Sequence, residues 1–176
     1  MPEKLLVQRT PGPDPKICYD DRGLHFTESS VGLVPWHQLA GIRNRSIKKQ
    51  TRYRDERSRR ADLPVRESLE QTSRRFAVKF LLGVMNSTVA HDFLRTNRRS
   101  NLHPYPDDWK KLPIPDVTPE QQAPVVAVVD RILATKNADR HADIADLEAE
   151  IDHLVYALCG LTKKEIVAVT QSMGAA

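Results

Sequence analysis

FLLGVMNSTVAHDFLRTNRRSNLHPYPDDWKKLPIP, residues 80–115, runs through three kinds of sequence in succession. It begins as an apolar helix, opens into a basic, Asn-rich loop, and closes on a proline-rich strap. Val78, Leu81, Leu82, Met85, Val89 and Phe93 recur at three- and four-residue steps, which predicts one helix from near Ser73 to Thr96-Asn97 with a single apolar face. Gly83 falls inside that pattern, where a missing Cβ permits close packing of another element. Past Asn97 the periodicity stops. Pro104, Pro106, Pro113, Pro115 and Pro119 then hold the backbone extended or turned.

Everything before this stretch reads as short β elements. Residues 4–9 (KLLVQR) form a strand, and PGPDP after them forbids regular structure. Residues 16–20 and 24–27 alternate apolar and polar around Asp21-Arg22-Gly23, which predicts a hairpin with Gly23 in the left-handed conformation. Residues 31–34 are a further strand. Pro35-Trp36-His37 opens a stretch with no assignable pattern. Residues 43–60 carry nine Lys/Arg and two acids and almost no apolar side chains. Such a segment cannot bury a face and is expected to be mobile when unbound, with Tyr53 set among its charges. Residues 62–71 extend this loop or begin a helix.

Everything after the stretch reads as helix. Thr118-Pro119-Glu120-Gln121 combines an N-cap, proline at the first helical position and a Gln that completes a capping box. Val125, Val126, Val128, Val129, Ile132 and Leu133 give that helix a broad apolar face. Ile144, Leu147, Ile151, Leu154, Leu158 and Leu161 follow three-four spacing among acids, as in a coiled-coil-like hairpin or a docking helix. Gly160 ends it, and Thr162-Lys163-Lys164-Glu165 caps a last helix to about Gln171. The expected fold is therefore α+β: a small N-terminal β-sheet with packed helices, followed by a C-terminal helical hairpin. All 176 residues form one domain, divided into a β-rich part (1–42), a basic loop (43–72), a core helix with the loop after it (73–115) and a helical scaffold (116–176).

The net charge of +4 is unevenly spread. Residues 1–42 hold 4 Lys/Arg and 5 Asp/Glu, residues 43–111 hold 18 and 8, and residues 112–176 hold 5 and 10. A basic middle between near-neutral and acidic ends points to a polyanion-binding face. Arg43, Arg45, Lys48, Lys49, Arg52 and Arg54 suit phosphates. Arg74 and Arg75 stand at the head of the helix and are expected to join the same face. In the loop, Arg95, Arg98, Arg99 and Lys110 add cations. The arginines can also pair bidentately with guanine and Asn97 and Asn101 with adenine, and His103 can pack on a sugar or base. Trp109 is either part of that surface or core.

Catalytic patterns are missing. There is no Gly-rich phosphate loop, HExxH or Gly-x-Ser-x-Gly. His141 and His153 lack a ligand partner, and Glu120 is better explained by a helix N-terminus than by a nuclease carboxylate pair with Asp116. Cys18 and Cys159 read as two reduced thiols. No apolar run reaches the length of a membrane span, and the first residues lack the apolar segment of a signal peptide.

FLLGVMNSTVAHDF resembles the apolar helix ending in Leu-x-Asn-Ser of target-recognition domains in bacterial adenine-specific DNA methyltransferases. KKLPIP and the helix after it resemble the segment following their recognition loop. LEAEIDHLVYALCGLTKKEI resembles their C-terminal helices, and the opening KLLVQRT…KICYDDRGLHFT…VGLV resembles their first strands. The chain thus resembles, over most of its length, the Taq-type C-terminal specificity domain of type II and IIG restriction–modification enzymes. The resemblance implies sequence-specific recognition of double-stranded DNA in the bacterial cytoplasm. Methylation would fall to a separate catalytic domain or subunit using S-adenosylmethionine, in some members joined by an endonuclease. The chain contains neither the Asn-Pro-Pro-Tyr-type motif nor a cofactor-binding glycine motif, so the resemblance implies a recognition half with no cofactor or metal of its own. The basic 43–60 segment departs from the family pattern. A helical protein-interaction subunit with an incidental basic arm, and an RNA-binding module, are the competing readings.

Overall fold

A computed structural model of the chain describes residues 3–9, 15–45, 47, 53–54, 61–97 and 106–174, the side chains of Pro106 and Asp107 excepted. Three strands, β1 (Lys4–Gln8), β2 (Ile17–Asp20) and β3 (Ser30–Leu33), form an antiparallel sheet in the order β2-β1-β3. Leu5 lies opposite Tyr19 and Leu33, and Val7 opposite Ile17 and Val31. Period-two alternation therefore turns these residues to one face, where Leu5, Val7 and Ile17 are buried in the core. A 3-10 turn (Trp36–Leu39) follows, then α1 (Arg66–Ser73), α2 (Val78–Asn86), α3 (Thr88–Asn97), the short α4 (Pro106–Trp109), α5 (Pro119–Ala138), α6 (Ala145–Leu158) and α7 (Lys163–Gly174). The α+β architecture and the C-terminal hairpin of α5 and α6 are those expected from the pattern of residues.

α2 is the hub. It packs against β1 and β2 on one side and against α3, α5 and α6 on the others. Phe80 is fully buried, and Val78, Leu82, Val84 and Met85 are buried around it. Gly83 faces α5 and α6: a Cβ there would meet Val125 Cγ1 at 2.6 Å, Val129 Cγ2 at 3.2 Å and Ile151 Cδ1 at 3.7 Å. The close approach expected at this glycine is real and involves three helices. Gln122, 2% exposed, brackets the head of α2 to the chain before α5. Its Oε1 accepts from the Ala77 N–H at 3.0 Å, and its Nε2 donates to the carbonyls of Arg75 and Val117.

Four readings of the sequence need correction. The single helix from Ser73 to Asn97 is two helices, and Ser73 ends α1 instead. The break falls at Ser87, whose backbone is extended and whose Oγ accepts from the Ala90 N–H as an N-cap for α3. Asn86 cannot continue the helix freely because its side chain grips β2, accepting from Ile17 N–H and donating to Ile17 O, both at 3.0 Å. The break also shifts the apolar face: Ala90 and Leu94 are buried, while Val89 and Phe93 only pack against the core.

Residues 24–27 are not a strand. Asp20 accepts from the N–H groups of Arg22 and Leu24, closing a local turn and engaging the first N–H of the expected strand. Gly23 does take a positive φ of 72°, but it directs the chain back so that the Phe26 ring covers Gly32. Tyr53 is buried at 7% exposure, not displayed among charges, and Trp109 belongs to the core. The last helix runs to Gly174, beyond Gln171. The two capping boxes, at Thr118–Gln121 and Thr162–Glu165, both form.

Candidate nucleic-acid interface

The base of the basic segment is built around one buried cation. Arg66, the first residue of α1, is 4% exposed. Its Nε donates to Glu70 Oε1 at 2.7 Å, one helical turn on. Its Nη1 donates to Ile42 O at 2.6 Å and its Nη2 to Leu39 O at 2.5 Å. The guanidinium lies 5.5 Å from the ring centroids of both Trp36 and Tyr53, within cation–π range. Those rings meet edge to face at 84°. Burial disfavours the Arg66 charge, but hydrogen bonds with Glu70 and Tyr53 outweigh that penalty and raise its pKa. Beside it, the Arg54 N–H donates to Pro64 O at 2.8 Å, and Arg54 bridges Val65. Arg43, Arg45 and Arg54 project from this clasp and are exposed.

Sequence reading missed Arg66 and the roles of Trp36 and Tyr53. The available signal was the Arg66–Glu70 spacing on a helix, together with two aromatics in otherwise polar surroundings. Neither says that the three residues meet.

A second cluster surrounds α3, which leads to the Arg- and Asn-rich segment. At its N-terminus the Thr88 N–H donates to Asp152 Oδ1 at 2.7 Å, and the Thr88 hydroxyl donates to Oδ2. At its other end Arg95 Nη1 donates to Ser172 O, in the last turn of α7, at 2.7 Å. The Ser172 hydroxyl donates to Asp92. An anion at the head of α3 and a cation at its tail both suit the helix dipole. Arg95 is thus engaged with α7, and the Asn97 amide donates to Phe93 O at 2.9 Å in its own helix. Lys110 is exposed just after α4. Lys48, Lys49, Arg52, Arg98, Arg99, Asn101 and His103 lie outside the described residues.

Arg74 and Arg75 precede α2, at the end opposite the one from which α3 leaves. Arg75 pairs with Asp116 and lies 5.8 Å above the Phe76 ring. Both arginines line an open groove of about 580 Å³, with His37 beside them and Glu3 and Asp130 also on its walls. That mixture of signs gives no concentrated anion site.

Several other titratable groups have structural duties. Lys4 pairs with Asp20 on the outer side of the sheet and, as Asp20's main partner, lowers its pKa. Glu120 and Glu165 are lowered first by hydrogen bonds from Thr118 and Thr162, as expected of carboxylates in helix caps. Burial raises the Cys159 thiol, and both cysteines are free. Among the described residues no group of three or more His, Cys, Asp or Glu could hold a metal ion, and no helix is long and apolar enough to cross a membrane. Comparison of the chain with family models, with curated proteins and with solved structures finds no match.

Proposed function

We propose that the chain is the sequence-specific double-stranded DNA recognition module of an adenine-N6 DNA methyltransferase, within a type II or IIG restriction–modification system, and is not catalytic by itself. The observation that carries this reading is the segregation of charge: 18 Lys/Arg against 8 acids in residues 43–111, beside an acidic C-terminal scaffold. A duplex rewards that arrangement, because each neutralised phosphate releases counterions. The exposure of Arg43, Arg45 and Arg54 at one clasp supports a phosphate-contacting role for that region. The firm seating of α3 against α6 and α7 supports the loop after it as the base-reading element. The resemblance supplies the catalytic partner, which would bind S-adenosylmethionine and hold the extruded adenine.

The test is duplex binding measured against salt for the wild type, Arg43→Ala/Arg45→Ala and Arg98→Ala/Arg99→Ala. Each lost phosphate contact should flatten the log–log salt slope by about 0.9. Loss of base reading at Arg98 or Arg99 should narrow the gap between preferred and random duplexes. Failure of the folded protein to bind any duplex at low salt, alone and with its methyltransferase partner, would sink the proposal. Tighter binding to single-stranded RNA than to any duplex would replace it with the RNA reading.

A further inference from the structure

Ile42 carries an apolar side chain left in solvent on a backbone that is held tightly. It is 47% exposed, one of four large hydrophobics so placed among the described residues. Leu24 and Phe26 lie in the loop between β2 and β3 and Val167 lies on α7, whereas Ile42 is followed directly by the exposed Arg43, Asn44 and Arg45. Both polar groups of its backbone are engaged. The Ile42 N–H donates to Leu39 O at 2.9 Å, and the Ile42 carbonyl accepts from Arg66 Nη1 at 2.6 Å. Before it, Gly41 takes a φ of 76°, a conformation that residues with a Cβ rarely adopt. After it, Asn44 Oδ1 accepts from the Ile47 N–H at 2.8 Å, which fixes the chain on the other side. A Cβ on Gly41 would meet nothing within 4 Å among the described residues, so the space beside Ile42 is open.

We propose that Ile42 is an apolar wedge for the minor groove of DNA, entering at a base step while Arg43 and Arg45 take the flanking phosphates. This rests on the DNA reading above. A major groove about 12 Å wide accepts a helix or a two-stranded ribbon, whereas a minor groove about 6 Å wide accepts only a narrow tip. Ala40-Gly41-Ile42 is a turn bearing one large side chain, and it has that narrow form. Isoleucine is among the side chains that unstack a base step, and the kink that follows brings more duplex against neighbouring cations. A wedge has to keep its place when it meets the stack. The bonds from Leu39 and Arg66 hold Ile42 in position before DNA arrives, so little ordering is left for binding.

The experiment titrates the full chain and its Ile42→Ser and Ile42→Val variants against one duplex oligonucleotide across a salt series, with a fluorophore at each end of the duplex to report bending. Ile42→Ser should lower affinity about fivefold, the value of covering a half-exposed isoleucine. The salt slope should not change, because no phosphate contact is lost. Ile42→Val should keep most of the affinity. The wild type should kink the duplex by at least about 20°, and Ile42→Ser should abolish the kink. If Ile42→Ser does not fold, Ile42→Ala is measured instead. Unchanged affinity in Ile42→Ser overturns the proposal and leaves Ile42 an ordinary surface side chain. A shallower salt slope in that variant also overturns it, because Ile42 would then act only by placing Arg43 and Arg45. A loss of affinity with no kink in the wild type overturns the minor-groove wedge and moves the contact to a thymine methyl in the major groove. If the wild type binds no duplex, alone or with its methyltransferase partner, the DNA reading fails and takes this proposal with it, a result distinct from wild-type binding that Ile42→Ser leaves intact.

Discussion

Gly83→Ala sets two opposing effects against each other at the centre of the fold. Alanine is the better helix former by about 1 kcal/mol in a helix interior. Against that, the new Cβ would stand 2.6 Å from Val125 Cγ1 and 3.2 Å from Val129 Cγ2. Neither neighbour can retreat easily: Val125 is 0% and Val129 2% exposed, and β-branched side chains in helices are held to one dominant rotamer. Overpacking of a tight core costs about 1–3 kcal/mol, and a contact this short belongs toward the upper end. The net effect should be a loss of about 1–2 kcal/mol, which for a domain of this size lowers Tm by about 3–6 °C. Urea and thermal denaturation measure it directly. In a double-mutant cycle, Val125→Ala should relieve the clash and give a favourable coupling of about 1–2 kcal/mol. A Gly83→Ala protein more stable than the wild type, or zero coupling with Val125→Ala, would refute the three-helix contact.

Gln122→Ala should cost about 2–3 kcal/mol in denaturant unfolding, because Ala77 N–H and the carbonyls of Arg75 and Val117 lose their partner together. A loss below about 0.5 kcal/mol would mean that water replaces the side chain at all three. The Asp20 pKa is depressed when folded, chiefly by Lys4, so its stabilising contribution is present above the ordinary carboxylate pKa of about 3.9 and is lost as pH falls through the folded value. Asp20→Asn should accordingly flatten the acid limb of the stability–pH curve, while an unchanged limb would contradict the Lys4–Asp20 pairing.

The legible parts of the fold were those fixed by neighbours in sequence. Thr118-Pro119-Glu120-Gln121 and Thr162–Glu165 supply their own capping partners, so both helix starts appear where the residues put them. Gly83 announced a close contact by lacking a side chain, though not which helices would fill the space. Two of the failures share one cause, a partner distant in the chain. Asn86 breaks the long helix because it reaches Ile17, 69 residues away. Arg66 reaches back 24 residues to Ile42 and lies near the rings of Trp36 and Tyr53, the first left unassigned and the second set among charges in the sequence. Arg95 reaches Ser172, 77 residues on, a contact that nothing local shows. Asp20 ends the expected hairpin by a local turn, but alternation over so few residues could not register that competition.

The fastening of α3 also governs how the helix could be exchanged between proteins. The helix is joined at its head to Asp152 and at its tail to Ser172, so its orientation depends on the C-terminal third. A chimaera with breakpoints inside 88–97 would separate a donor helix from the partners that orient it. An exchange of α3 therefore has to carry α6 and α7 with it, because the two ends of the helix are held by residues from those helices.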